Sequence, residues 1–426
     1  VAIATRTTNG AVATTQAIHA ELARAVGLHL PVTLWDGTHL GPQDTSYRIV
    51  LARPWAARSL LLPPGDLAAG EAFIHGDVGV DGDLFAALRD LAAADVERVS
   101  LRDRARLLRS LLRLPAPPRR AGGRRVSLRG WRHSVARDRA AVAFHYDLPE
   151  AFYETFLDAN LVYSCAYFDA PDEPLEAAQR RKLDLVARKL RLAPDDRLLD
   201  IGCGWGSLLL HAASTYGVRG VGVTLSETQA EVARRRLAAA GLADRVEIRL
   251  QDYREVEERF DAVASIGMVE HVGPRYLREY MSTVYELLVD GGRFLNHGIT
   301  TGTRADQERD GGERDFIGTY VFPDGGLAPA WRMVRDAQLA GFVLVDVQQL
   351  RPHYALTLRR WVANLEQRWE DAVAASSESV ARIWRLYMAG SAAAFERGDL
   401  GVVQVLGTKG LAALPLRRSW MEPVAG

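Results

Sequence analysis

Asp200-Ile201-Gly202-Cys203-Gly204-Trp205-Gly206 sets a carboxylate two residues ahead of three alternating glycines, where an apolar run meets a helix-like segment. Glycines let a backbone pass close to a bulky ligand, and the carboxylate is placed to hold a polar, cationic tail. A dinucleotide site would want a further glycine at the GxGxxG spacing and an acid closing the second strand. That strand, residues 218–225, ends Val223-Thr224-Leu225, and the nearest acid, Glu227, lies beyond it. Five further patterns carry groups able to do chemistry: His145-Tyr146-Asp147, Tyr163-Ser164-Cys165-Ala166-Tyr167, Gln251-Asp252-Tyr253-Arg254, Gly267-Met268-Val269-Glu270-His271-Val272-Gly273 and Tyr320-Val321-Phe322-Pro323. Out of context, a small cysteine is most often inert core, a loop carboxylate is ordinary, and a histidine closing a strand is usually a satisfied structural one.

These residues need a scaffold, and the alternation of runs supplies one. Strand-like segments at 197–201, 218–225, 246–251, 260–266, 292–297, 342–349 and 402–406 alternate with helical ones, which predicts an α/β fold whose parallel sheet is covered on both faces. Helical spacing recurs in Leu358, Val362, Leu365 and Trp369, and again in Val380, Ile383, Trp384 and Tyr387. Both stretches fall between the last two strands, where a helical cover would wall a hydrophobic substrate tunnel. Ahead of this region, residues 15–100 mix a helix (17–26), short strands (32–35, 47–51) and an apolar helix near 84–91, a small α+β unit. Between Arg102 and Arg132 stand eleven arginines and one acid, Asp103, with Pro115, Pro117, Pro118, Gly122 and Gly123 breaking the later part. The expected division is an N-terminal lipid-associated domain at 1–110, a basic linker at 111–140 and a catalytic domain at 141–426.

Composition narrows the classes. A chain of 426 residues with 48% apolar content exceeds the size at which single cores stop growing. Its 53 basic and 53 acidic side chains give no global field, so nucleic acid is not an expected partner. The basic linker is the exception, since an anionic lipid surface attracts such a segment by about 1 kcal/mol per basic residue close to it. Cys165 and Cys203 have no metal-ligand spacing, no metal site is expected, and no signal-peptide pattern is seen, which points to a cytoplasmic setting. No apolar run reaches the roughly 18 residues that span a bilayer, so any membrane association would be peripheral, on the inner face.

The D-x-G-x-G-x-G loop resembles the one class I methyltransferases use for S-adenosylmethionine. In their order and spacing, the five patterns together resemble the cyclopropane-fatty-acid synthase family, which includes the mycolic acid cyclopropane synthases. The likeness runs from about His145 to Lys409 and extends more loosely to Gly70-Glu71-Ala72-Phe73-Ile74-His75-Gly76, which looks like a turn in the longer members' N-terminal domain. Two departures bear on substrate contact: Leu148-Pro149-Glu150 replaces a usual glycine and asparagine, and Thr319 stands where a lysine is common. The resemblance implies a class I, Rossmann-like sheet and methylene transfer from S-adenosylmethionine to the double bond of an unsaturated phospholipid acyl chain. Methyl transfer would leave a carbocation, and loss of a proton from the added methyl would close the ring. The implied base is a bound bicarbonate held by Cys165, Glu270, His297, the backbone of Ile299, and Tyr354. Implied cofactor contacts are Tyr163, Ser164, Asp200, Gly202, Gly204, Gly206, Thr224, Gln229, Asp252 and Tyr253, with Asp252 accepting from the adenine amine. Tyr167, Tyr253 and Tyr320 are candidates for π stabilisation of cationic centres. The resemblance admits a homodimer. Competing readings are a C-methyltransferase making methylene- or methyl-branched chains, a small-molecule methyltransferase, and a non-catalytic lipid-binding protein.

Overall fold

A computed structural model of the chain describes residues 2–27, 29–93, 99–119, 128, 131, 134–146, 148–302 and 315–422, with side chains from residue 10 onward. It divides into two compact units, one of Val1–Arg125, Arg314–Tyr320 and Ser377–Ala393, the other of Val126–Glu313, Val321–Ser376 and Ala394–Gly426. Two stretches that the sequence places in the catalytic domain, 314–320 and 377–393, therefore group with the N-terminal unit. The helix Arg351–Gln367 buries Leu358 and Leu365 in the second unit, while the helix Glu378–Arg397 lies in the first through Ala393. The two helical runs expected to form one cover are split between the units.

The N-terminal unit is built on a four-stranded sheet, β1 (Val32–Leu34), β2 (His39–Leu40), β3 (Tyr47–Leu51) and β4 (Val78–Gly82), in the order β2-β1-β3-β4. Alternate burial along β3 puts Tyr47, Ile49 and Leu51 in the core. The first helix begins at Ala2, earlier than the periodicity suggested. The Gly70–Gly76 stretch is mostly the helix Asp66–Ile74, and only its end turns, at His75 and Gly76, where φ is +68°. The first half of the arginine-rich stretch is also a helix, Leu101–Arg113, started by Ser100, whose hydroxyl accepts from the Asp103 amide at 3.2 Å. It buries Leu111 and leaves Leu101, Leu108 and Leu112 at 82%, 43% and 53% exposure, one stripe beside its arginines. Of the later linker arginines, Arg119 is described, whereas Arg120, Arg124 and Arg125 lie outside the described residues.

The second unit holds β5 (Arg197–Ile201), β6 (Arg219–Thr224), β7 (Val246–Leu250), β8 (Phe260–Ile266), β9 (Leu288–Thr301), β10 (Ala328–Pro329), β11 (Phe342–Gln349) and β12 (Leu400–Lys409). The main order is β11-β12-β9-β8-β5-β6-β7, with β10 beside β9. Strands β5 to β9 pair in parallel, and successive residues feed opposite cores: Leu198, Ala262 and Leu295 pack on one face, Leu199, Val263 and Phe294 on the other. The sheet is not wholly parallel. β12 runs antiparallel between β9 and β11, pairing with β9 from Leu400 opposite Thr301 to Thr408 opposite Arg293. That insertion explains why β9 runs past the predicted end at 297, since residues 298–301 are held by β12; at its other end Leu288 pairs with Phe260 of β8. No described helix is long and apolar enough to cross a membrane.

Candidate active site

The first parallel strand ends in the glycine loop, and the loop's backbone shows why glycine is needed. Gly202, Gly204 and Gly206 have φ of +75°, +53° and +80°, a region that side chains disfavour. A side-chain carbon at Gly206 would stand 3.1 Å from Ala233 Cβ, so this glycine serves helix packing. One at Gly204 would meet no protein atom within 4 Å. Gly204 instead borders a cleft of about 960 Å³, open mouth included, so the space beside it is available to a ligand.

That cleft gathers every expected cofactor residue except Gly206: Tyr163 and Ser164 from the N-terminal side, Asp200, Gly202 and Gly204 from the first turn, Thr224 and Gln229 from the second, Asp252 and Tyr253 from the third. All three turns sit at the carboxyl ends of parallel strands, where such sheets bind ligands. Several of these groups are already engaged. The Thr224 hydroxyl donates to Gln229 Oε1 at 2.8 Å, fixing that amide, and Asp252 accepts from the Arg254 amide, Nε and Nη2 at 2.9, 2.8 and 2.7 Å. A carboxylate accepts about four hydrogen bonds, which leaves Asp252 one acceptor position for an adenine amine. Of the three tyrosines considered for π stabilisation, Tyr253 lines the cleft. The Tyr167 ring lies 4.6 Å from that of His353, outside the cleft lining, and Tyr320 belongs to the N-terminal unit, where its hydroxyl donates to Glu71 at 3.0 Å. Tyr146, Tyr163, Trp205 and His271 give the cleft an aromatic wall instead, with Tyr146 edge-on to both Tyr163 and Trp205.

The expected anion-holding residues come together by a different route. Glu270, just past β8, accepts from the Ile299 amide of β9 at 2.6 Å. His297 lies two residues earlier on β9, hence on the same face. Opposite Ile299, Val402 of β12 accepts from the Leu350 amide, and the Leu350 carbonyl takes both the Tyr354 amide at 3.2 Å and the Cys165 thiol at 3.8 Å. Five positions spread over 190 residues thus join through one strand junction. The Ile299 donor is occupied by Glu270, so in this structure it serves the carboxylate rather than standing open to an anion.

Burial sets the charges. It pushes the Glu270 carboxyl up to about 7, with the Ile299 amide pulling the other way. His297 is pushed down to about 3 by burial and by the cations Lys182 and Lys189, so its imidazole is neutral. The Gln404 amide donates to His297 Nδ1 at 3.2 Å, which puts the ring proton on Nε2. Among the described residues, both His297 Nε2 and Glu270 Oε2 are buried with no hydrogen-bond partner. One offers a donor and the other, by its protonation state, a donor or an acceptor. Burial raises the Cys165 thiol, which therefore stays neutral and is no nucleophile. His145 is placed by its neighbours: Nδ1 bonds the Val321 carbonyl at 2.8 Å and the ring stacks on Phe322. Asp147 lies outside the described residues.

Lys182 is a cleft residue that the motifs do not reveal. It sits on the helix Leu175–Lys189 one turn from Gln179, whose amide donates to the Ser164 carbonyl at 2.9 Å, and its own ammonium donates to the Ser164 hydroxyl at 2.8 Å. The available signal was a lysine and a glutamine among apolar residues on the buried face of a helix, a pattern that ordinary amphipathicity forbids.

The sheet with its inserted antiparallel strand, and the glycine cradle at the carboxyl end of its first strand, define a class I S-adenosylmethionine-dependent methyltransferase. The solved mycolic acid cyclopropane synthase CmaA1, complexed with SAH and CTAB, is 35% identical with a TM-score of 0.59 over 64% of this chain and 98% of that one. The sequence profile of the family described as mycolic acid cyclopropane synthetase matches residues 133–405, and the chain belongs to that family. Among curated relatives, a probable fatty acid methyltransferase of Mycobacterium tuberculosis is 40% identical over 95% of this chain and 97% of its own. The cyclopropane-fatty-acyl-phospholipid synthase of Escherichia coli is 37% identical over 63% of this chain and 67% of its own.

Proposed function

We propose that the protein converts the double bond of unsaturated phospholipid acyl chains to a cyclopropane ring. The observation that carries this reading is the buried pair His297 Nε2 and Glu270 Oε2, both unpartnered and joined through one strand junction to Cys165 and Tyr354. S-adenosylmethionine, bound along the cleft from Tyr163 to Tyr253, supplies an electrophilic methyl group. An isolated alkene is a weak nucleophile, so the chain's part would be to hold the acceptor in line and exclude water, a part to which the aromatic wall of Tyr146, Tyr163 and Trp205 is suited. Bicarbonate held by Glu270, His297, Cys165 and Tyr354 would supply the base for the proton of the added methyl. Neutral His297 donates from Nε2, and Glu270, with its carboxyl near 7, can hold or give up a proton at Oε2.

A second reading, a C-methyltransferase that makes methylene- or methyl-branched chains, draws support from the full-length likeness to a fatty acid methyltransferase. The deciding experiment incubates the protein with S-adenosylmethionine and unsaturated phospholipid vesicles and inspects the product by proton NMR. Ring methylene signals support the first reading, and vinylidene or branched-methyl signals replace it by the second. Turnover of soluble small acceptors alone would overturn both.

Peripheral attachment to an anionic lipid surface belongs to the same proposal. Its support is the helix Leu101–Arg113, which presents Leu101, Leu108 and Leu112 to solvent beside Arg102 and Arg109. Replacing the three leucines with serine should weaken cosedimentation with anionic vesicles and leave turnover on detergent-dispersed lipid unchanged. Equal cosedimentation of variant and parent at low salt would refute the attachment.

A further inference from the structure

Lys182 and Asp200 are 1% and 3% exposed and line the same cleft, yet they make no ion pair with each other. The Lys182 ammonium has one hydrogen bond, to Ser164 Oγ, and two N–H groups left over. The Asp200 carboxylate takes no hydrogen bond from the described residues. Each charge feels the other, since Lys182 is the cation that lowers the Asp200 carboxyl against the rise caused by burial. A buried ammonium and a buried carboxylate left apart in one cavity are costly unless something between them carries both signs. No other member of the cleft lining is a lysine or arginine. The group that completes such a pair is a zwitterion whose carboxylate meets Lys182 and Ser164 and whose ammonium meets Asp200.

We infer that Lys182 reads the carboxylate of the amino-acid end of the bound sulfonium, and so makes the enzyme selective for S-adenosylmethionine over its decarboxylated form. This rests on the assignment of the cleft to S-adenosylmethionine and adds a specificity-determining residue to it. Lysine is suited to the task as a compact point charge on a stem that packs among the apolar residues of its helix. Gln179 supports it by holding the Ser164 carbonyl and, with it, the backbone that carries the hydroxyl.

The test is calorimetric binding of three probes, S-adenosylmethionine, decarboxylated S-adenosylmethionine and 5′-methylthioadenosine, to the parent, Lys182→Met and Asp200→Asn. Removing a charge-assisted contact should weaken S-adenosylmethionine binding to K182M by roughly 10- to 100-fold. The decarboxylated ligand should change by less than about 3-fold, because it lacks the group that the lysine contacts. D200N should weaken both ligands that carry the ammonium, and 5′-methylthioadenosine, with neither charge, should bind all three proteins alike. Equal losses of both sulfonium ligands in K182M, or no loss in either, would overturn the proposal. If K182M loses 5′-methylthioadenosine as well, its cleft is damaged, and Lys182→Gln, which keeps a donor, is read by the same ratio of the two sulfonium ligands. Failure of the parent to bind any probe would instead overturn the assignment of the cleft.

Discussion

The cofactor cradle and the buried strand junction of Glu270 and His297 lie in one unit and are built on opposite principles. The cradle is open: its glycine loop has room for a side chain at Gly204, and its two unlike charges, Lys182 and Asp200, face a cleft. The junction is closed: Cys165, Glu270, His297 and Tyr354 are between 0% and 8% exposed. An open site spends its strength on affinity, because ligand atoms replace solvent there. A closed one controls proton position, because burial moves the Glu270 carboxyl into the neutral range and removes the charge from His297; burial raises Asp200 likewise, but there the cleft lets a ligand reach the carboxylate. Damage to the two regions should therefore separate binding from turnover.

The largest effect is expected at the junction. Glu270→Gln keeps the size of the side chain and removes its ability to take or give a proton, so turnover should fall by about 10² to 10⁴ while S-adenosylmethionine binding changes little. Parent-level turnover in this variant would remove the junction from the chemistry. Next comes Gly204→Val, which puts a branched side chain at φ +53° into the space beside the cleft. Its calorimetric affinity for S-adenosylhomocysteine should drop by at least about tenfold, through strain and lost room together. Unchanged affinity would place the ligand elsewhere.

The smallest effect is on stability. Glu270 and Asp200 both have carboxyls raised to about 7 by burial, so each binds its proton more tightly folded than unfolded. Their contribution is fully present below about pH 4 and is lost as pH rises through about 7. His297, held near 3, contributes in the opposite sense below about pH 6.5, so the comparison is between two proteins that share it: from pH 5 to pH 8 the thermal midpoint of the ligand-free parent should drop relative to that of E270Q. Parallel slopes in calorimetric scans would mean that Glu270 titrates near its ordinary value.

Sequence legibility follows the same division. The cradle's key elements lie within seven consecutive residues, and glycine at a positive φ is a local demand, so Asp200 to Gly206 could be read directly. The inner parallel strands were equally legible, because burial on both faces leaves apolar runs, while β7 at the sheet edge shows instead the alternation of a half-exposed strand. Residues Cys165, Glu270, His297, Ile299 and Tyr354 were named through family resemblance, since no local pattern links positions 165 and 354. Only pairing among β8, β9 and β12, with Leu350 tied to Val402, brings them together.

What the chain's order alone determined is therefore the class of sheet and the cradle at its first turn, both products of short-range sterics and periodicity. Tertiary structure decided the rest. It inserted β12 antiparallel beside β9, assigned residues 314–320 and 377–393 to the N-terminal unit, and ran the helix Leu101–Arg113 across the expected boundary between domain and linker at 110. It also committed the Ile299 amide to Glu270 and aimed Lys182 from a helix face into the cleft. Those outcomes depend on which distant groups share a buried space, and desolvation in that space, more than residue type, fixes the charge each one carries.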